Sequence, residues 1–582
     1  MVAIRNAGIS VLLLLSAVSF GVADDRTAAD LFPPTTILYG EIPQPALLLD
    51  VIDNHPLRNR IEKMQSVRDA YNTNKQFLQF RVAVAVIEAK LDQTWPQILA
   101  SQTEGGIAIG FDAQTQGALL LIKARDEEAA PKLLEALIDL ARKAAKDAGN
   151  PDPVKSGEYR GIKVYQSDQV RIATLGQWLA VTNKPETGKA VLDAYLDKPN
   201  TTLATTPSFQ EARSKAADAA TAWAYVNLET IRNAGIAKAL FAGKTDNPVA
   251  ELLVGGLLDT FQHTPYVTAS LTLDQQRTRL DFATPHQQDW TTEAREYYFG
   301  PDGKGRAPAP IHVENQLLAL STYRDVSTMW LRAGDLFTDN IVDQFAKADS
   351  NLSTLFSGKD FGEDILGEVH PEIQLVVARQ TYAGDAPQPA IKIPAFAAVF
   401  RLKDPETVGP DFRRTYQSLI GFLNVIGAMN GQPQLDLDIE KKDNYQLLTA
   451  TYLADKDASD GGLKIHYNFS PSVAFVGEHF IVSSTTALAR ELAQTVGKGP
   501  MKSSDLNTIV KLDAKGIGAI LVDNRAQLVA QNMLSEGNSK EEAERTIGDL
   551  LDLLGAAEGV SFDLGTTADT LRASLEIDYV VE

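Results

Sequence analysis

The stretch GALLLIKARDEEAAPKLLEALIDLARKA (residues 117–144) runs an apolar strand into an aspartate and then a helix. FAAVFRLKDPETVGPDFRRTYQSLIGFLN (residues 396–424) has the same grammar. In the first, residues 118–122 read as strand, Asp126 as the helix cap, Leu133, Leu134, Leu137 and Ile138 as the apolar stripe, and Gly149 as the stop. In the second, residues 397–402 lead to Asp404, Pro405 and Glu406 open the helix, and Phe412, Tyr416, Leu419, Ile420 and Leu423 make the stripe before Asn430-Gly431. An aspartate accepting from unpaired N–H groups, a proline just inside and a glycine just outside are the expected punctuation of a helix. Both aspartates are therefore assigned to the fold, with no role in any activity.

Other stretches recur in the same order. GQWLAVTNKPETGKAVLDAYL parallels GEHFIVSSTTALARELAQTV, and TILYGEIPQPALLLDVIDNH parallels LALSTYRDVSTMWLRAGDLFTDN. ATAWAYVNLETIRN parallels GIGAILVDNRAQLV, which sets Asn227 against Asp523. The Leu-rich helix and two strands beginning AELLVGG have a partner in the helix and two strands beginning RTIGDLLDLL. This order predicts a tandem duplication: a leader over residues 1–23, a first unit over 24–295, a Pro/Gly-rich linker over 296–311, and a second unit over 312–582. Each unit reads as strand, long helical segment, two strands, helix, two strands, helix, strand, helix and two strands. The short polar turns DAQTQ, SDQ and LDQQR are hairpin-like. The expected class is α+β, each unit a mixed, mainly antiparallel sheet with helices on one face.

The leader MVAIRNAGISVLLLLSAVSFGVADD has one cation, Arg5, an apolar run from Val11 to Val18, and the small-residue site Gly21-Val22-Ala23. It predicts export, with a mature chain starting at Asp24; an uncleaved anchor is the competing reading. No later stretch is long and apolar enough to span a bilayer. With 55 basic against 75 acidic residues the formal charge is −20, which repels phosphate backbones, so nucleic acid is not an expected partner. The absence of cysteine removes disulfides, thiolate metal sites and a lipid-modified cysteine anchor. A bacterial envelope, periplasmic or extracellular, is the expected place.

TTILYGEIPQPALLLDVIDNHPL, then EYRGIKVYQ and WAYVNLETI, all behind a leader, resemble exported bacterial proteins known only as a domain of unknown function. The resemblance spans most of the first unit and, more weakly, the second. Its motifs are structural, so it implies a class and no activity or site residue.

The motifs that could carry chemistry fail on their own terms. Gly235–Thr245 ends like a phosphate loop, but Lys238 stands where its first glycine belongs. Asp455–His466 resembles a calcium loop, with Asp460 in place of the turn glycine and His466 in place of the closing glutamate. Asp436, Asp438 and Glu440 share one strand face, with Leu435, Leu437 and Ile439 on the other, as on any half-buried strand. Of the seven histidines (His55, His263, His286, His312, His370, His466, His479) none forms a zinc pair, and Glu368, His370 and Glu372 are the nearest to a local ligand set. No G-x-S-x-G is present. Trp178 and Trp223 read as core. Trp290, Tyr297, Tyr298 and Phe299 beside the linker read as a contact between units or with a partner. No catalytic, cofactor or metal residue is assigned. Two readings stand: a non-enzymatic envelope protein binding a ligand or a protein through its duplicated units, or a periplasmic or secreted hydrolase with site residues dispersed between the two units.

Overall fold

The computed structural model describes residues 26–217, 219–382, 388–452, 463–499 and 502–580. The leader, the Asp24 start and most of the calcium-like loop lie outside them. Contacts gather the chain into two units. One holds the described residues up to Ala237 with Thr264–Thr284, the other Lys238–His263 with Pro285–Val580.

Each unit carries an antiparallel sheet. The first consists of β1 (Thr36–Ile42), β2 (Ile107–Asp112), β3 (Gly117–Lys123), β4 (Val154–Tyr159), β5 (Ile162–Ser167), β6 (Val170–Leu175), β7 (Trp178–Thr182), β8 (Ala222–Asn227), β9 (Tyr266–Leu273) and β10 (Arg277–Pro285). They lie in the order 10-9-8-1-2-3-7-6-5-4. The second consists of β11 (Gln316–Tyr323), β12 (Val369–Ala378), β13 (Ala395–Leu402), β14 (Leu435–Lys441), β15 (Gln446–Tyr452), β16 (Ser472–Val476), β17 (His479–Ser483), β18 (Thr508–Asp513), β19 (Ala557–Thr566) and β20 (Thr570–Tyr579). Their order is 20-19-18-11-12-13-17-16-15-14. The class is mixed α+β.

The expectation of helices on one face needs correction: both faces of the central strands are covered. In the first unit Leu119 and Leu121 of β3 join a core with Val191 and Leu192 of the Pro185–Asp197 helix. Leu120 and Ile122 turn to the other side, toward Leu134, Leu137 and Ile138 of the Ala129–Asp147 helix. In the second unit the Thr486–Val496 helix covers Val399 and Ile481, while Tyr416 and Ile420 of the Pro405–Met429 helix cover Leu402 and Phe480. The signal was the unbroken apolar run of strands such as β7, buried at every position, because a strand buried on both faces has no polar side to alternate.

Both aspartates accept from N–H groups at a helix start, Asp404 as the N-cap of Pro405–Met429 and Asp126 from two residues ahead of Glu128, the N-cap of Ala129–Asp147. Asp126 Oδ1 accepts from the N–H groups of Glu128 (3.0 Å) and Ala129 (2.9 Å), and Asp404 Oδ1 from that of Thr407 (3.1 Å). Three element assignments change. Four strands, not two, separate the second and third helical segments of each unit. GAILV lies in the helix Ala514–Asp523, so β8 has its topological partner in β18, and Asn227 answers to Asp513, not Asp523. IHYNF, which reads in sequence as the strand following the calcium-like loop, is a 3₁₀ turn over Ile465–Asn468.

Residues 296–311, the expected linker, are built into the second unit. Tyr297, Tyr298, Phe299 and Ala307 are completely buried. Gly305 N–H donates to the Phe299 carbonyl at 2.6 Å, and Ala307 and Ala309 donate to Leu506 and Lys502 at 2.7 Å each. The aromatic residues join Met329, Leu336, Phe337, Leu564 and Leu571 in one core. Beside it lies a buried ionic cluster. Arg295 donates to Glu251 Oε1 at 2.8 Å and to Asp259 Oδ1 at 2.6 Å, and the Tyr297 hydroxyl donates to the Glu251 carbonyl at 2.6 Å. Trp290 stacks on His263 with ring centroids 5.9 Å apart.

Candidate polar binding cavity

The strands β12, β13 and β17 of the second unit lie side by side, and Arg401 of β13 pairs across to His479 of β17. The β12–β13 register slips between Val369 and Ile373, so residues 370–372 form an irregularity opposite Arg401. Such a bulge re-aims a side chain. It leaves Glu372 Oε2 3.7 Å from Arg401 Nη1, while Arg401 Nη2 donates to Glu478 Oε2 at 3.1 Å. Arg306, Pro308 and Ser503 complete the wall of a cavity of about 230 Å³ with these four residues.

Two buried atoms in this wall, Glu372 Oε2 and His479 Nε2, have no hydrogen-bond partner among the described residues. Buried polar atoms are normally satisfied, so two orphans on one cavity mark it out. Burial pushes the His479 imidazole below its ordinary value, which keeps it neutral near pH 7. The bond from Arg401 holds the Glu478 carboxyl below the carboxylate range. Burial first, then the charges of Asp325 and Glu372, raises the Tyr323 phenol opposite Glu372 to about 12.

The first unit has a different pair at the same place in its sheet. There Lys123 of β3 pairs with Trp178 of β7, and its ammonium lies 5.0 Å from the indole centroid. Trp178 is 2 % exposed. Gly105 and Gly106 stand at the start of β2, bonded to the Lys123 backbone at 2.9 Å each, and a Cβ on Gly105 would meet Lys123 Cγ at 2.5 Å. At the matching sheet position the first unit has an indole paired with a lysine, and the second an imidazole paired with an arginine. A larger cavity of about 460 Å³ in the first unit is ringed by Arg125, Asp126, Glu128 and Lys132. Its charges are already matched, Arg125 to Asp126 at 3.2 Å and Lys132 to Glu128 at 2.7 Å.

The sequence candidates fare differently. Of Glu368, His370 and Glu372, only Glu372 lines the cavity, and among the described residues no group of three or more His, Asp and Glu is placed to hold a metal. Asp436 and Asp438 are exposed, and Glu440 is taken up by Arg490 at 2.8 Å and Tyr445 at 2.9 Å. The opposite face of β14 is buried only at Leu435; Leu437 and Ile439 are 43 % and 47 % exposed, because β14 lies at the edge of its sheet. The phosphate-loop stretch contains the 3₁₀ turn Lys238–Phe241, and its Gly243 carbonyl accepts from Arg295 at 3.1 Å. Sequence reasoning assigned no role to Arg401 or His479, and their spacing in sequence carries no signal.

A mixed α+β scaffold of antiparallel sheets with a small polar cavity is thus the class that fold and site define. Residues 75–296 match the family model described as a protein of unknown function, DUF3352. No curated protein matches the chain. Among solved structures it is similar to crystal forms IV, III and I of TP0453, at 12 % identity each, covering 44 % of this chain and 79 %, 78 % and 78 % of those, with TM-scores of 0.24, 0.22 and 0.23. Likeness at that level carries no argument about fold or function. No helix among the described residues is long and apolar enough to cross a membrane.

Proposed function

We propose that the chain is an exported, non-enzymatic binding protein made by tandem duplication, and that the cavity of the second unit is its ligand site. Duplication is supported by the shared strand order and by a shared flaw. The β1–β2 register slips between Thr36 and Leu38, and the β11–β12 register between Gln316 and Leu318, at the same place in each sheet. Bulges persist within families, so a common position argues for common origin. Export is supported by the Arg5, Val11–Val18 and Ala23 pattern of the leader.

The observation that carries the binding reading is the pair of orphaned atoms, Glu372 Oε2 and His479 Nε2, on one cavity wall. The test is native mass spectrometry of exported protein, wild type and His479→Trp. A bound small molecule should be present in the first and absent from the second, with circular dichroism unchanged. Retention in His479→Trp would place the ligand elsewhere. N-terminal sequencing of the same material should begin at Asp24; Met1 would favour an anchored chain.

A hydrolase has one observation in its favour: Ser503 and His479 line the same cavity. The Ser503 hydroxyl, however, donates to the Ser504 carbonyl at 3.3 Å. Turnover of an ester probe that disappears in Ser503→Ala would decide for it.

A further inference from the structure

We propose that the cavity beside the β12 bulge takes a small zwitterion, a molecule with a carboxylate and an ammonium group a few bonds apart, as in a free α-amino acid. The proposal rests on the reading of this cavity as the ligand site and deepens it. Its charges are unevenly matched. Arg401 is engaged by Glu478 at 3.1 Å and lies farther from Glu372, at 3.7 Å. Glu372 Oε2 is buried and lacks a hydrogen-bond donor among the described residues. Arg306, on the same wall, donates to the carbonyls of Gly303 (2.8 Å), Gly305 (3.0 Å) and Thr566 (3.4 Å) and, among the described residues, to no carboxylate.

One carboxylate without a donor and one guanidinium without an anion call for opposite charges on the ligand. An ammonium suits Glu372, and a carboxylate suits Arg306, whose planar fork matches it. The four formal charges of the wall, Arg306, Arg401, Glu372 and Glu478, already cancel. A ligand of zero net charge keeps that balance, whereas a net anion or cation would leave an uncompensated charge in a partly desolvated place. The neutral His479 adds Nε2 as a further hydrogen-bonding atom without altering the sum. A volume near 230 Å³ falls below the ~300 Å³ at which ordinary ligand pockets begin, which restricts the guest to amino-acid size.

The experiment is isothermal titration of the mature chain with L-serine, with the half-ligands propanoate and ethylamine, and with succinate and glucose as controls. It is run on wild type, Arg306→Gln, Glu372→Gln and His479→Trp, each checked for folding by near-UV circular dichroism. Serine should bind more tightly than either half-ligand. Each of the Arg306 and Glu372 variants should weaken it ~10-fold or more, the size of one lost charged hydrogen bond. Glu372→Gln should leave propanoate binding unchanged, and Arg306→Gln should leave ethylamine binding unchanged. Serine binding no tighter than propanoate, or indifferent to Glu372→Gln, overturns the zwitterion. So does a folded wild-type chain that takes up none of the probes. Succinate or glucose bound instead and lost in His479→Trp also overturns it, while leaving the cavity as the ligand site. Serine bound equally by His479→Trp overturns the cavity itself.

Discussion

Asp126 shows what a single residue contributes here and how legible it was. Burial works against its charge, but the bonds from Arg125 and from the Ala129 and Glu128 N–H groups prevail and hold the carboxyl below the usual range. Asp126→Ala should cost about 1 kcal/mol, the usual size of a lost cap, in urea unfolding at pH 7. Asp404→Ala should destabilise in the same direction. The caps could be read from sequence because a cap is local: acceptor and donors lie within three residues of one another. His286 could not be read so. It is 2 % exposed, its Nδ1 lies 3.1 Å from Thr260 Oγ1, and its environment is assembled from distant segments. Burial lowers its pKa, so the unfolded chain takes up the proton first. Its stability contribution is fully present above the unfolded value near 6.5 and is lost as pH falls through the lower folded value. Melting temperature measured from pH 8 to pH 5 should therefore fall less steeply in His286→Gln than in wild type. A slope unchanged by the substitution would remove His286 from the account. Some slope should remain, because the His479 imidazole is lowered by burial as well.

Among elements, strand-and-helix grammar was readable where periodicity and caps agreed, as at Ala129–Asp147, and failed where a short apolar run had no such frame. GAILV satisfies a buried strand and a helix equally. The strand that carries the corresponding cap position is TIVKLD, whose two lysine- and aspartate-bearing positions made it look less like core. The second apolar stripe was also read too wide: Leu419 and Leu423 are 44 % and 40 % exposed, and the burial falls on Val408, Tyr416 and Ile420. The cavity was out of reach for another reason. Glu372, Arg401 and His479 come from three strands and meet only through sheet order and a bulge, neither of which leaves a spacing motif. At this scale the sharpest energetic prediction concerns the helix Pro248–His263, which carries Glu251 and Asp259 to Arg295. Arg295→Met strands two buried carboxylates and should cost about 3–5 kcal/mol in urea unfolding. Converting Glu251 and Asp259 to leucine in the same chain should recover part of that loss, because the charges left unpaired are then gone.

For the molecule as a whole, the segment 296–311 matters more than its prolines and glycines suggested. Composition reports how poorly a stretch packs on average; it cannot report that Tyr297, Tyr298 and Phe299 at its start are wholly buried. A fragment of residues 312–582 lacks these rings, Arg295 and the Pro248–His263 helix, and leaves Met329, Leu336 and Phe337 without their neighbours. Such a fragment should show no cooperative thermal transition and should bind a hydrophobic dye, whereas the whole chain should melt cooperatively.

The placement of the Pro248–His263 helix also bears on how the chain is made. A ribosome delivers residues in order, at ~5–20 per second, and domains ordinarily fold as they emerge. The first unit is complete only when Thr284 has been delivered, after that helix has already come out. The helix, with Leu252 and Leu257 destined for the core that includes Leu564 and Leu571, must then wait for nearly the whole second half of the polypeptide. Until then only Tyr297, Tyr298 and Phe299 are at hand to cover its apolar side, so for tens of seconds that core stays incomplete and speed of synthesis becomes part of the folding problem.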